Sequence, residues 1–306
     1  MRVMRTAIID LGTNTFHLMI VEGQEILFKT SIPAKIGMGG ISHGVISEEG
    51  IQRALVVLRG FREVIDDHLV SLENVFATGT SAIRNAGNQG EFIKRVLDEA
   101  GIKIMVISGD EEADLISLGV KQAMKITETS MIMDIGGGSV ECIICNDEKI
   151  FWKQSFEIGG QRLMDKFMKS DPISMRSVQI MDDFFREKLL PLTNACHQYA
   201  PKVLIGSSGS FDTLIDMQYM KEKGQLPATD EIAFEYSLPA FYWAYDELIF
   251  KNHTERMQIP GMIELRVDMI VVAICLIRFV IQTLAIQSIR VSSYALKEGI
   301  MAKIMS

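Results

Sequence analysis

The stretch MDIGGGSVE, Met133 to Glu141, sets three consecutive glycines behind an aspartate that closes the apolar run MIMDI. Glycine costs conformational entropy, so a run of it belongs where a turn needs a left-handed backbone or where another group must approach the main chain. The same pattern stands earlier in the chain. Asp10-Leu11-Gly12-Thr13-Asn14-Thr15 aligns with Asp134-Ile135-Gly136-Gly137-Gly138-Ser139 as D-x-G-x-x-[ST], each at the end of a strand-like run. A pattern that recurs at about half the chain length indicates an internal duplication. Two similar domains facing one another would line one cleft with both loops.

The flanking segments repeat the plan. Ala7 to Asp10, Phe16 to Val21 and Glu25 to Thr30 read as short β runs, with Glu22-Gly23 as turn chemistry between the last two. MIMDIGGGSVECIIC and EKIFWKQSFEI then give strand, acidic loop, strand, turn and strand again. Between them, Ser47 to Leu69 spaces Ile51, Ala54, Leu55, Leu58, Phe61 and Ile65 as one helix face, with Ser47, Glu48 and Glu49 at its start. Asn74 to Thr78 and Ile104 to Ser108 read as strands flanking the helix Gln89 to Ala100. A meander followed by alternating strands and helices indicates an α/β fold.

At 306 residues the chain exceeds what one core usually serves, so two domains of about 150 residues are expected. The net charge of −8 argues against a general nucleic-acid coat and leaves room for local anion sites. Cys142 and Cys145 resemble a metal or redox pair, but on a strand they point to opposite faces. Free core thiols fit a reducing compartment, so a cytoplasmic location is expected. The start, MRVMRTAIID, does not read as a signal peptide, and the apolar run Met269 to Ile277 is too short to span a membrane.

In each loop, successive backbone N–H groups can converge on an anion, and Thr13, Asn14, Thr15 and Ser139 add side-chain donors. Asp10 and Asp134 would repel a phosphate directly, so their use is to hold Mg²⁺ through oxygen ligands. ISGDEEADLISLGV, Ile107 to Val120, places Asp110, Glu111 and Glu112 where a strand gives way to a helix. One of these acids can orient a water for attack on phosphorus while another serves the helix dipole. Composition does not choose between the neighbours. In ATGTSAIRNAGN, Ala77 to Asn88, Arg84 offers a planar fork suited to phosphate oxygens. His17 has no second histidine at ligand spacing and reads as a packed or hydrogen-bonded imidazole. Arg266 and Asp268 are read either as a pair at the lip of the second domain or, equally, as a solvated pair at a helix start.

DLGTNTFHLMI, TSAIRNAGN, SGDEEADLISLGV, DIGGGSVE, IPGMIELRVDMIVV and SSYALKEGI, in this order, resemble the exopolyphosphatase and guanosine pentaphosphate phosphatase family of the actin, Hsp70 and sugar kinase superfamily. The resemblance implies two ribonuclease H-like domains, residues 1–126 and 127–306, each a mixed five-stranded sheet with flanking helices. It implies an active site in the cleft between them, and a last helix, about 295–306, that can pack back on the first domain. It places the catalytic glutamate on Glu112 and metal-binding acids on Asp134 and Glu141, beside Asp10. Phosphate would be held by Thr13, Asn14, Thr15, Arg84, Gly136, Gly137, Gly138 and Ser139. Asp114, the loop Gly206 to Ser210 and the region of Glu264 depart from the family pattern. No His-Asp doublet of an added phosphohydrolase domain is present, so the short two-domain form is expected, acting distributively on short polyphosphate or a nucleotide.

The expected activity is Mg²⁺-assisted release of terminal phosphate from polyphosphate, with guanosine pentaphosphate as the alternative substrate. A kinase of the same superfamily and a non-catalytic sensor of polyphosphate or alarmone are the competing classes. Neither nucleic acid nor membrane is an expected partner, and a homodimer is compatible with the sequence.

Overall fold

The computed structural model describes residues 4–305. Met1, Arg2, Val3 and Ser306, which fall within the ranges expected for the first domain and the last helix, lie outside the described residues. In the first half, β1 (Arg5–Leu11), β2 (Thr15–Glu22) and β3 (Glu25–Pro33) form an antiparallel meander. After α1 (Glu48–Asp67), β4 (Val75–Gly79) pairs parallel with β1. The short α2 (Ser81–Arg84) and α3 (Gln89–Ala100) lead to β5 (Ile104–Val106), and the sheet order is β3-β2-β1-β4-β5. Ser47 starts α1 as its spacing implied, accepting a hydrogen bond from Gly50 N at 3.1 Å. Ser47→Ala is expected to cost about 1 kcal/mol of stability, read as a lowered denaturant midpoint.

α4 (Gly109–Ala123) leaves the first sheet for the second. There β6 (Ser130–Ile135), β7 (Val140–Cys145) and β8 (Ile150–Phe156) repeat the meander. α5 (Gly160–Phe167), α6 (Met175–Lys188) and α7 (Leu190–Tyr199) precede β9 (Val203–Ser207), which is parallel to β6. α8 (Gly209–Lys223), β10 (Ala233–Tyr236), α9 (Leu238–Ile249), α10 (His253–Arg256) and α11 (Met269–Thr283) then lead to β11 (Ser288–Ser292) and α12 (Leu296–Met305). The order is β10-β11-β9-β6-β7-β8. This sheet therefore has six strands where five were expected. The extra one, β10, lies antiparallel on β11 at the edge. Its four residues, ending at the α9 cap Ser237, are too few for a two-residue alternation to register in the sequence.

Three apolar layers hold the assembly. Ile9, Leu18, Leu55, Phe61 and Phe92 pack on the outer face of the first sheet. Met133, Cys142, Phe185 and Ile274 do so on the outer face of the second. Between the sheets, Ile8, Met19, Ile116, Val120, Ile132, Ile143, Leu296 and Ile300 enclose α4 and α12. Strand alternation makes this division: Ile8 and Ile9 belong to different layers, and so do Cys142 and Cys145, both free and buried. Apolar side chains bury most of α11, and no helix among the described residues is long and apolar enough to cross a membrane. The α4 and α12 backbones touch, since a Cβ on Gly299 would stand 1.8 Å from the Leu115 carbonyl oxygen. That contact sets Lys297 into the same cavity wall as Glu112 and Ile116.

Candidate active site

The two D-x-G-x-x-[ST] loops are equivalent hairpins. Gly12 N donates to Thr15 O at 3.2 Å, and Gly136 N donates to Ser139 O at 3.0 Å. Asp10 pairs in parallel with Thr78 and antiparallel with His17, while Asp134 pairs in parallel with Ser207 and antiparallel with Glu141. Both hairpins line one cavity of about 130 Å³, with Asp10, Thr13, Asn14, Thr15, Glu112, Asp134, Gly136, Gly137, Gly138 and Ser139 in its wall. Two of the residues expected at the site are not in that wall. Glu141 stands beside Asp134 in the strand pair, 1% exposed, with Ser155 Oγ donating to its Oε1 at 2.6 Å. Arg84 lies at the rim and touches the site through Glu112.

The glycine run is explained by close approach rather than by a left-handed turn, since none of Gly136, Gly137 or Gly138 has a positive φ. A Cβ on Gly138 would stand 2.5 Å from Thr13 Oγ1 and 2.6 Å from Ser81 Oγ. The missing side chain is what lets the first half of the molecule close on the second loop.

The neighbouring acids Glu111 and Glu112 divide their work. Glu111 accepts from Ser108 N at 2.9 Å, and Glu111 N donates to Ser108 Oγ at 3.1 Å, a capping box at the start of α4. Ser108 N and Ser108 Oγ, each donating to the carboxyl at 2.9 Å, hold it below the ordinary glutamate range. Glu112, one residue on, turns into the cavity and is 6% exposed. Arg84 Nη1 donates to its Oε2 at 2.7 Å. Burial pushes the Glu112 carboxyl up to about 7, against the opposing pull of Arg84.

The other acids are strained by burial and by one another. Burial and the Glu112 charge raise Asp10 to about 8, and Asp10 Oδ1 has no hydrogen-bond partner. Burial also raises Asp134, although Ser207 Oγ donates to its Oδ2 at 2.7 Å. Glu141 is raised well above its ordinary value by burial, then by Glu112 and Asp134. Thr15 Oγ1 is buried without a partner, as a donor reserved for a ligand would be.

Several residues of the wall were not assigned to the site from the sequence. Lys297 and Arg266 are its cations, and Asp212, raised to about 6 by burial, is a further acid. Lys297 Nζ lies 3.0 Å from Glu298 Oε1; burial works against its charge, and Glu298, Asp10 and Asp212 restore it. SSYALKEGI contains Lys297, but one lysine at a helix start carries no signal of burial. Arg266 does not pair with Asp268. Asp268 Oδ1 instead accepts from His253 Nδ1 and Arg256 Nη2, each at 2.9 Å, while Arg266 packs against Gly209 in the cavity wall. His17 is hydrogen-bonded through Nδ1 to Ser31 Oγ at 2.7 Å, and burial lowers it to about 3, which keeps it neutral.

Among the described residues, the wall contains four acids, Asp10, Glu112, Asp134 and Asp212, against two cations. A polyanion entering it needs added positive charge. The donors are all oxygens, and the orphaned Asp10 Oδ1 is a ligand atom waiting for a partner, so the residues fit a hard cation such as Mg²⁺. Among the described residues, no three His, Cys, Asp or Glu side chains already form a metal cage. Mg²⁺ characteristically binds through one or two carboxylates, waters and substrate phosphates rather than such a cage.

Residues 19–306 match the Ppx/GppA phosphatase family. The chain is 26% identical over 304 residues to the guanosine-5'-triphosphate,3'-diphosphate pyrophosphatase of Vibrio vulnificus, covering 98% of this chain and 59% of that protein. It is 30% identical over 279 residues to a bifunctional 3-dehydroquinate synthase/phosphatase of Fusobacterium nucleatum, covering 87% of this chain and 41% of that protein. The chain thus spans about half the length of the curated relatives it matches. A crystal structure of an exopolyphosphatase from Cytophaga hutchinsonii superposes with a TM-score of 0.94 at 43% identity, covering 98% of this chain and 97% of that one. The Aquifex aeolicus member of the Ppx/GppA family shares the fold, with a TM-score of 0.78 at 24% identity, over 98% of this chain and 97% of that one. The chain belongs to the Ppx/GppA phosphatase family.

Proposed function

We propose that this protein is a phosphoanhydride hydrolase that releases the terminal phosphate of inorganic polyphosphate. The observation that carries the reading is Glu112, buried in the wall of a cavity built by two phosphate-type hairpins and fixed by Arg84 at 2.7 Å. A carboxyl at about 7 is matched to taking a proton from water near neutrality. The terminal phosphoryl group sits between the hairpins, with Thr13, Asn14, Thr15, Ser139 and the amides of Gly136 to Gly138 donating to its oxygens. Glu112 orients a water in line with the bridging oxygen and takes its proton as the new P–O bond forms. The bridging P–O bond breaks, and the shortened chain leaves with the electron pair. Asp10, Asp134 and Glu141 would hold Mg²⁺, which supplies positive charge for the phosphate oxygens.

Similarity at 43% over nearly the full length to an exopolyphosphatase supports polyphosphate as the substrate. Guanosine pentaphosphate is the second reading, supported by the name of the Vibrio vulnificus relative. We further propose the division at residues 126/127, within the segment that joins α4 to β6, and a cytoplasmic location. Phosphate release measured with polyphosphate, guanosine pentaphosphate, and ATP plus sugars, each with Mg²⁺ and with chelator, tests the reading. Release from polyphosphate that chelator abolishes is expected; phosphate transfer from ATP to a sugar would replace the hydrolase with a kinase.

The base must be deprotonated, so turnover is expected to rise with pH through about 7. Arg84 favours the carboxylate, so Arg84→Gln is expected to move that midpoint upward. The midpoint of a pH–rate profile, rather than the rate alone, checks this.

A further inference from the structure

Beside the cavity, three donors of the kind that bind phosphate converge on one carboxylate. Ser81 Oγ donates to Glu157 Oε2 at 2.6 Å, Arg162 Nη2 donates to the same oxygen at 3.2 Å, and Arg84 Nη2 donates to Oε1 at 3.3 Å. Ser81 and Arg84 come from α2 in the first half, whereas Glu157 follows β8 and Arg162 lies on α5 in the second. The donors are held in place independently of Glu157. Arg162 Nε donates to Gly138 O at 2.9 Å and its Nη1 to Ile41 O at 3.1 Å, while Arg84 Nη1 is committed to Glu112. The acceptor is freer: the Glu157 side chain is 41% exposed, against 15% for Arg84 and 22% for Arg162. Two guanidinium forks and a hydroxyl around paired oxygens are a phosphate-binding arrangement.

The position continues the catalytic cavity. Ser81 lines that cavity, and Glu157 and Arg162 line an open groove of about 650 Å³ that also carries His43, Lys166 and Asp165. We propose that Ser81, Arg84 and Arg162 form a second phosphate subsite, filled by the chain's own Glu157 carboxylate, which the next phosphate of an incoming condensed-phosphate chain displaces. This rests on the phosphatase reading and deepens it: substrates reaching beyond the terminal group gain the subsite, and orthophosphate does not. When Glu157 leaves, Arg84 joins the water-activating acid and the substrate through its two Nη groups.

The test is calorimetric titration of inorganic tripolyphosphate and of orthophosphate into the Glu112→Gln protein, with and without Glu157→Gln. Removing a carboxylate that competes for the subsite is expected to tighten tripolyphosphate by about fivefold or more while leaving orthophosphate unchanged. Unchanged or weaker tripolyphosphate binding overturns the proposal and makes Glu157 a structural partner of Arg84. Ser81→Ala, which only deletes an oxygen, provides a second arm: it is expected to weaken tripolyphosphate by about threefold in the Glu157→Gln background, and equal affinity overturns the subsite. The underlying reading fails separately. Tightened binding without phosphate release by the intact chain from any condensed phosphate would retain the subsite and remove the hydrolase; release without tightening would do the reverse.

Discussion

Glu112→Gln is expected to lower phosphate release by about two to four orders of magnitude, the range associated with loss of a general base. The substitution keeps an oxygen that can accept from Arg84 and removes only the ability to take a proton. Binding of tripolyphosphate is therefore expected to persist, since the hairpin donors are untouched. Stability gives an independent readout. The Glu112 charge helps raise Asp10 and Glu141, so its removal relieves both and is expected to raise the melting temperature. The sign with pH follows from Glu112 itself, which is raised from 4.5 to about 7 on folding. Its folded form holds a proton more tightly than the unfolded chain does, so the intact protein loses stability from this group as pH rises through that interval. The glutamine variant is expected to lose less, by thermal melts across the same window. An inactive variant with a lowered melting temperature would point to damage to the fold, and unchanged turnover would remove Glu112 from the mechanism.

Gly138→Ala is the second large effect. The added Cβ meets Thr13 Oγ1, Ser81 Oγ and Ser81 Cβ from the opposite half, at 2.5, 2.6 and 2.8 Å. A rotamer change moves the two hydroxyls but not the Ser81 Cβ, so the second loop and the first half must part. Displacements of about 1 Å can cost on the order of a hundredfold in rate. A loss of at least that size is expected, with reduced affinity for orthophosphate, because in the proposed mechanism the donors of both hairpins act on one group. The two halves keep their own cores, so circular dichroism is expected to remain near that of the intact chain. Activity within about threefold of the original would show that the hairpins need not meet as closely as they do, well below the penalty that misplacement carries.

Much of this architecture was legible in residues alone. The D-x-G-x-x-[ST] pair identified the duplication, and its two copies proved equivalent down to the hairpin hydrogen bond. Ser47 marked the start of α1 because capping is a local interaction between a side chain and an amide three residues on. The opposite faces of Cys142 and Cys145 followed from strand alternation. Strand β10 escaped because its pairing partner, β11, is more than fifty residues away and its own four residues carry little pattern.

The site divides along the same physical line. Local sequence supplied its hairpins and acids, because a loop's donors and a strand-end carboxylate are set by neighbours in the chain. Residue chemistry alone left Glu111 and Glu112 open, and the family resemblance chose Glu112; the structure gives the physical reason, since Ser108 claims Glu111 at the helix start and Glu112 turns toward Arg84. Lys297, Arg266 and Glu157 acquire their surroundings from segments far away in sequence, and burial, which raises Asp10, Glu112, Asp134 and Asp212, exists only once those segments pack. The sequence by itself determined a duplicated α/β chain with two phosphate-type loops. Tertiary structure decided which acid faces the cavity, which cations line it and which carboxylate lies across its rim, because these depend on long-range packing that no local pattern encodes.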